Sequence, residues 1–181
     1  ESWRLATEPG VAGISIEDAS GNAAHPTRPL DDALARLRAA RRAIDEAGGE
    51  ALLVGRAENF LYGIDDLADT VARLKAYADA GAGCLYAPGI RTPEQIAAVV
   101  AAVAPKPVNL LVGSASPFTL KDIAALGVRR VSVGGALARS AWGGFMQAAR
   151  TLSEQGRFDG FAQAASGQAR NDFFRDAKLP S

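Results

Sequence analysis

The chain has one cysteine, one histidine and one methionine among 181 residues, and its 20 basic side chains are matched by 20 acidic ones. Each scarcity closes off a class of function. A single cysteine forbids an internal disulfide and fits a cytoplasmic protein. Cys84 lies inside an apolar run and reads as a small core thiol rather than a nucleophile. A single histidine excludes a His-rich metal cage, and no Ser-His-Asp arrangement is indicated. A formal net charge of +0 gives no generic electrostatic grip, so neither nucleic acid nor a membrane surface is expected as a partner. No apolar run approaches the ~20 residues that span a bilayer, and Glu1 to Thr7 does not look like a signal peptide. Neither a Walker A motif nor G-x-G-x-x-G occurs, so nucleotide binding is unsupported. The one basic concentration, Arg36, Arg38, Arg41 and Arg42, reads as the wet face of a helix.

What is present is one motif repeated. Short apolar runs alternate with helical periodicity, the β/α signature of a parallel sheet. Strands are expected over Val11–Ile16, Ala51–Ala57, Gly83–Tyr86, Pro107–Val112 and Val128–Val133. Helices are expected from a cap at Asp31 or Asp32 to Ala47, from Asp65-Asp66 to Gly81, from Pro93 to Val103, over Thr119–Leu126, and over Arg139–Gln155. Ser2 to Glu8 reads as the last turns of a preceding helix, stopped by Pro9-Gly10. The tail after Gly156 shows no clear period, although Phe158, Phe161, Phe173 and Phe174 suggest that parts of it pack against something. Five units fit either an open doubly wound sheet or the last five units of a (β/α)8 TIM barrel. A chain that opens inside a helix favours the barrel.

In such a fold the working side chains stand at the C-terminal ends of the strands. Ser15 and Glu17 share one face of the first strand and Ile14, Ile16 and Asp18 the other, which puts Glu17 at the mouth. The second strand offers Arg56, Glu58 and Asn59, with Arg56 and Glu58 on one face. Later ends offer Tyr86, Asn109, Gly113-Ser114, Ser132 and Gly134-Gly135. A guanidinium there is a bidentate ligand for carboxylate or phosphate. A carboxylate beside it can orient it or hold a divalent metal through water. Together they point to a small anionic substrate bound through Mg²⁺, with Arg56, Glu58, Asn109 and Gly134 as candidate substrate contacts. The alternative is an ion pair of Glu17 and Arg56 across adjacent strands. Gly134-Gly135 can offer N–H groups to an anion or simply make a tight turn, and Ser114, Ser116 and Thr119 read as turn and cap residues. The loop Ala19–Leu30 is about a dozen residues long, more than a β/α connection needs. A loop of that length at a barrel mouth is a candidate lid, and His25 within it a candidate catalytic residue.

Four pieces in this order, Ser15-Ile16-Glu17-Asp18, Gly55-Arg56-Ala57-Glu58-Asn59-Phe60, the run Ala80 to Gly89, and Val131 to Ala136, resemble the isocitrate lyase/phosphoenolpyruvate mutase superfamily, most closely its phosphonomutase-like branch. The resemblance implies a (β/α)8 barrel, a Mg²⁺ ion, and making or breaking of a C–C or P–C bond beside a carboxylate through an enolate. By position Glu17 resembles the family's acid that holds Mg²⁺ through water, and Arg56 its arginine on the substrate's anionic group. It also implies dimers or tetramers in which a last helix is exchanged between subunits. The whole chain, 1–181, is then the C-terminal part of one barrel domain with a swapped helix and tail. Three departures stand out. The family's main metal aspartates lie on strands before Val11. The loop Ser20 to Arg28 lacks the lyases' catalytic cysteine, so isocitrate or methylisocitrate cleavage is not expected, and His25 or Arg28 stands in its place. The third strand ends in Ala87-Pro88-Gly89 where characterised members carry a polar residue. Two other readings follow: a non-catalytic metabolite-binding relative, and a phosphate-binding barrel enzyme using Gly113 and Gly134-Gly135.

Overall fold

The computed structural model describes residues 11–176. The five expected strands are present: β1 Gly13–Glu17, β2 Leu52–Arg56, β3 Cys84–Tyr86, β4 Val108–Leu111 and β5 Arg130–Ser132. Every neighbouring pair is parallel, and the sheet order is β1-β2-β3-β4-β5. That order decides between the two architectures. A doubly wound sheet reverses its strand order where the helices change faces. An unbroken order keeps the crossovers on one face, as in a barrel. The chain supplies five consecutive β/α units of that fold.

The helices between the strands are α1 Leu30–Glu46, α2 Leu67–Asp79, α3 Pro93–Val103 and α4 Leu120–Ala125. Asp66 caps α2 by accepting from the Asp69 N–H at 2.9 Å. Thr92 with Gln95, and Thr119 with Asp122, form capping boxes at α3 and α4. Only α1 departs from expectation. It begins at Leu30 behind Pro29 with no side-chain cap, and Asp31 and Asp32 fall inside its first turn, where their charge meets the positive end of the helix. Its buried residues, Ala33, Leu37, Ala40 and Ile44, recur at helical spacing.

The core lies between the helices and one face of the sheet, where Ile16, Leu53, Leu85, Val108 and Leu110 meet Leu37, Leu74, Tyr77, Ile96, Val99 and Ile123. The opposite face gathers Val54, Cys84 and Tyr86 with Leu111. Close approach of α2 to β2 depends on Gly55. A Cβ there would sit 2.9 Å from the Tyr77 Cβ and 3.1 Å from that of Ala82.

The chain forms two compact units that part after Gly134. The second holds α5 Ala136–Gln155, a 3₁₀ turn Asp159–Phe161 and α6 Gly167–Asp176. Helix α5 starts three residues before the expected Arg139, with Gly135 at its N-cap, and ends at Gly156 in the left-handed conformation. Helix α6 departs from the expectation of an aperiodic tail, because its start is marked by capping rather than by an apolar period. Ser166 Oγ accepts from the Ala169 N–H at 3.0 Å, and Gln168 donates to Asp172 one turn on at 2.8 Å. The tail phenylalanines pair with each other, Phe158 with Phe161 and Phe173 with Phe174, yet all four stay exposed. No residue of α5 is buried, and its Trp142 and Phe145 meet edge to face at 5.4 Å in the open. The helix expected over Ser2–Glu8 lies outside the described residues. Among the described residues no helix is long and apolar enough to cross a membrane.

Candidate anion site at the strand ends

The register places one polar row across the sheet. Glu17 pairs with Arg56, Arg56 with Tyr86, Tyr86 with Asn109, and Asn109 with Arg130. Register partners in parallel strands project to the same face, and here it is the face turned away from the helices.

Arg56 is the hinge of this row. Its Nε and Nη2 donate to the two oxygens of Glu58, the second at 3.3 Å. Its Nη1 lies 3.6 Å from Glu17 Oε2, and its Cζ stands 5.0 Å from the centre of the Tyr86 ring. The two carboxylates differ. The Glu58 side chain is 1% exposed, whereas that of Glu17 is 47% exposed. Burial pushes the Glu58 carboxyl above its ordinary value, against the pull of Arg56, and the charges of Glu17 and Asp18 push the same way. Burial alone would lower Arg56, but its hydrogen bond to Glu58 and the neighbouring acids outweigh it, so the guanidinium stays charged. Glu58 therefore grips Arg56 from inside while Glu17 faces outward.

Asn109 is fully buried two strands from Arg56. It donates to Ser132 Oγ at 2.9 Å and accepts from Arg130 Nη1 at 2.8 Å. Arg130 is a member of the row that strand-end reasoning alone does not single out, although alternation from Ser132 places it on the same face. Gly134 is exposed in the turn after β5 with φ +51°. Cys84 is buried, and burial pushes its thiol up despite the opposing charge of Arg130, as befits an inert core thiol.

The loop after β1 is a closed hairpin. Ala19 bridges Thr27, and the Ser20 N–H donates to the Pro26 carbonyl at 2.8 Å. His25 sits at its exposed tip, where its N–H donates to the Asn22 carbonyl and its own carbonyl accepts from Ser20 Oγ. Among the described residues no hydrogen bond or ion pair joins its imidazole to Glu17, Arg56 or Glu58. The structure thus brings Glu17, Arg56 and Glu58 together, puts Asn109 further along their row, and leaves His25 and Gly134 apart from them.

Asp18 is the residue whose role sequence reasoning missed. It is 1% exposed on the core face. Its Oδ2 accepts from Tyr77 OH at 2.6 Å and from Arg73 Nη1 at 3.2 Å, and its Oδ1 from the Glu58 N–H at 2.9 Å. Arg73 also donates to Asp69 at 2.7 Å, as does Asn59. Burial and the Asp18 charge push the Tyr77 phenol up, keeping it a donor. A signal was available: strand alternation puts this acid among the aliphatics, and a core acid must find donors.

Among the described residues no three His, Cys, Asp or Glu side chains cluster as a metal cage. The family model for phosphoenolpyruvate phosphomutase matches residues 2–153. An oxaloacetate decarboxylase of Paraburkholderia xenovorans is 35% identical over 128 residues, covering 67% of this chain and 40% of its own. Among solved structures, a Burkholderia cenocepacia protein described as a lyase/mutase matches with a TM-score of 0.92 and 46% identity, over 98% of this chain and 64% of that one. An oxaloacetate acetylhydrolase in complex with its product oxalate matches with a TM-score of 0.78 and 25% identity, over 96% of this chain and 60% of that one. The chain spans less than half the length of the curated relatives it matches. Together with the parallel order of the strands and the motifs at their ends, these matches establish that the chain belongs to the phosphoenolpyruvate phosphomutase family.

Proposed function

We propose that this chain forms the substrate-binding rim of a Mg²⁺-dependent lyase or mutase. The reaction makes or breaks a C–C or P–C bond beside the carboxylate of a small α-keto or 2-hydroxy acid. One observation carries the reading: Arg56, clamped on one edge by buried Glu58, stands at the strand ends beside half-exposed Glu17. A guanidinium so fixed loses less side-chain entropy on binding a carboxylate than a free one does. As the bond breaks, it stabilises the negative charge that builds on the adjoining enolate oxygen. Asn109 and Gly134 are the further proposed substrate contacts. His25 is proposed as a second catalytic residue that reaches the substrate through movement of its loop.

The residues fit Mg²⁺ in one respect. Two carboxylates about one guanidinium leave these three groups one negative charge in excess when both are ionised, which favours a cation beside Glu17 when an anion binds at Arg56. Mg²⁺ keeps several waters and takes one or two carboxylates together with substrate oxygens. Glu17 is an open carboxylate suited to that part, directly or through water. When bound, the ion would polarise substrate oxygens as a Lewis acid.

The protein is further proposed to work in the cytoplasm as a dimer or tetramer, with the last helix exchanged between subunits. The exposure of Leu137, Trp142, Phe145 and Met146 on α5 supports association between subunits, and sedimentation analysis tests the oligomeric state. The function is tested by turnover of oxaloacetate and phosphoenolpyruvate with and without Mg²⁺. Arg56→Lys should lower kcat/KM on the best substrate by about 100-fold or more, because the bidentate fork is lost, and His25→Ala should lower kcat. Turnover indifferent to both Mg²⁺ and Arg56→Lys would overturn the proposal.

A further inference from the structure

We infer that Asp18 is a positioning residue for Arg56, fixing from beneath the sheet where the guanidinium presents itself. The inference rests on the reading of Arg56 as the anion-binding group. Asp18 touches the strand that carries Arg56 at two points. Its own N–H donates to the Arg56 carbonyl at 3.2 Å, and its Oδ1 accepts the Glu58 N–H at 2.9 Å. Glu58 is the residue whose carboxylate clamps the guanidinium. The Glu58 backbone therefore stands where Asp18 allows, and the angle of the clamp follows.

The same residue anchors the loop that carries His25. The Asp18 carbonyl accepts from the Arg28 N–H at 2.7 Å, while Arg73, held by the Asp18 side chain, donates to the Arg28 carbonyl at 3.0 Å. One buried acid thus ties the closing end of the loop and the Arg56–Glu58 pair to a single point. Neutralising Arg73 does not explain it, since Asp69 already pairs with that guanidinium at 2.7 Å. Nor is it an economical filler, because a buried carboxylate carries a desolvation penalty that an aliphatic side chain lacks. What an aliphatic residue cannot do is hold the Glu58 N–H.

The test compares Asp18→Ala with Asp18→Asn, which keeps a side-chain oxygen for the Glu58 N–H, and with Tyr77→Phe, which removes a donor to Asp18 and leaves Glu17, Arg56 and Glu58 themselves unaltered. Two readouts are taken on the full chain: the ¹H–¹⁵N resonance of Arg56 Nε–H, and the affinity for oxalate in the presence of Mg²⁺. Asp18→Ala should remove the slowly exchanging Nε–H signal and weaken oxalate by tenfold or more. Asp18→Asn should retain the signal and bind within about threefold of the parent, and Tyr77→Phe should shift the resonance without abolishing it. If Asp18→Ala does not fold, Asp18→Asn and Tyr77→Phe decide alone. The inference is overturned if the Arg56 Nε–H signal is unchanged in every folded variant, or if Asp18→Asn loses it as completely as Asp18→Ala. Loss of the signal in Asp18→Ala from a parent that binds no oxalate would uphold the positioning role while removing the proposed function.

Discussion

The units before and after the Gly134–Gly135 boundary are built from similar apolar material and use it in opposite ways. In the first, α1, α2 and α3 each bury a stripe against the sheet, and Leu37, Leu74, Ile96 and Val99 are at most 1% exposed. In the second, α5 is longer than any of them and buries nothing, with Leu137 at 75% and Trp142 at 62% exposure. The contrast teaches that amphipathic periodicity makes a helix but does not supply its partner. In the β/α units the next strand arrives within a few residues and provides the surface, whereas α5 is followed by two short helical pieces too small to cover it.

The comparison is tested most severely by cavities. Leu85→Ala, at a fully buried position between sheet and helices, should cost about 2–5 kcal/mol in urea unfolding. A smaller loss would mean that the first unit is loosely packed. Gly55→Ala should cost about 1–3 kcal/mol, because the new methyl meets Tyr77 and Ala82. A melt unchanged by it would show that α2 can back away from β2.

Acidity sharpens the contrast further, since Asp69 and Glu58, whose acidities shift in opposite directions, both belong to the first unit. The Asp69 carboxyl is held below its ordinary value; burial opposes this, but hydrogen bonds from Arg73 and Asn59 prevail. Its contribution is complete above the ordinary aspartate range and disappears as pH falls through the lowered value. Glu58 has the opposite sign. Its raised pKa means that its ionisation costs stability as pH rises through the ordinary glutamate value, and the cost is complete above the raised one. Asp69→Asn should therefore flatten the loss of melting temperature toward pH 3. Glu58→Gln should remove the decline on the neutral side of pH 4.5. The smallest effect is expected in the second unit. Leu137→Ala should stay within about 0.5 kcal/mol for the isolated subunit, and a cost comparable to that of Leu85→Ala would erase the distinction between the units.

Much of this architecture can be read from residue order. Five strands, the capped starts of α2, α3 and α4, and the two faces of β1 follow from period, caps and alternation. The grouping of Glu17 with Arg56 and Glu58 was equally legible, because two-residue spacing puts side chains on one face and consecutive parallel strands set the rest beside them. Less accessible was anything that depends on distance along the chain. Asp18 meets Tyr77 and Arg73 across more than fifty residues, and no local pattern announces such a partner. Helix α6 escaped because polar capping rather than apolar period defines it, and the start of α1 because the helix opens behind Pro29, which has no capping side chain, ahead of the expected Asp31 or Asp32.

The register that aligns Glu17, Arg56, Tyr86, Asn109 and Arg130 also limits how this chain can be altered. Inserting or deleting one residue inside a strand would turn that strand's polar group under the helices and bring an aliphatic side chain to the other face. Point replacements along the row can retune recognition rung by rung, whereas changes of length are confined to the connections. A library built on this scaffold would keep strand lengths constant and vary identities, and its non-functional members should concentrate among the frame-shifted strands.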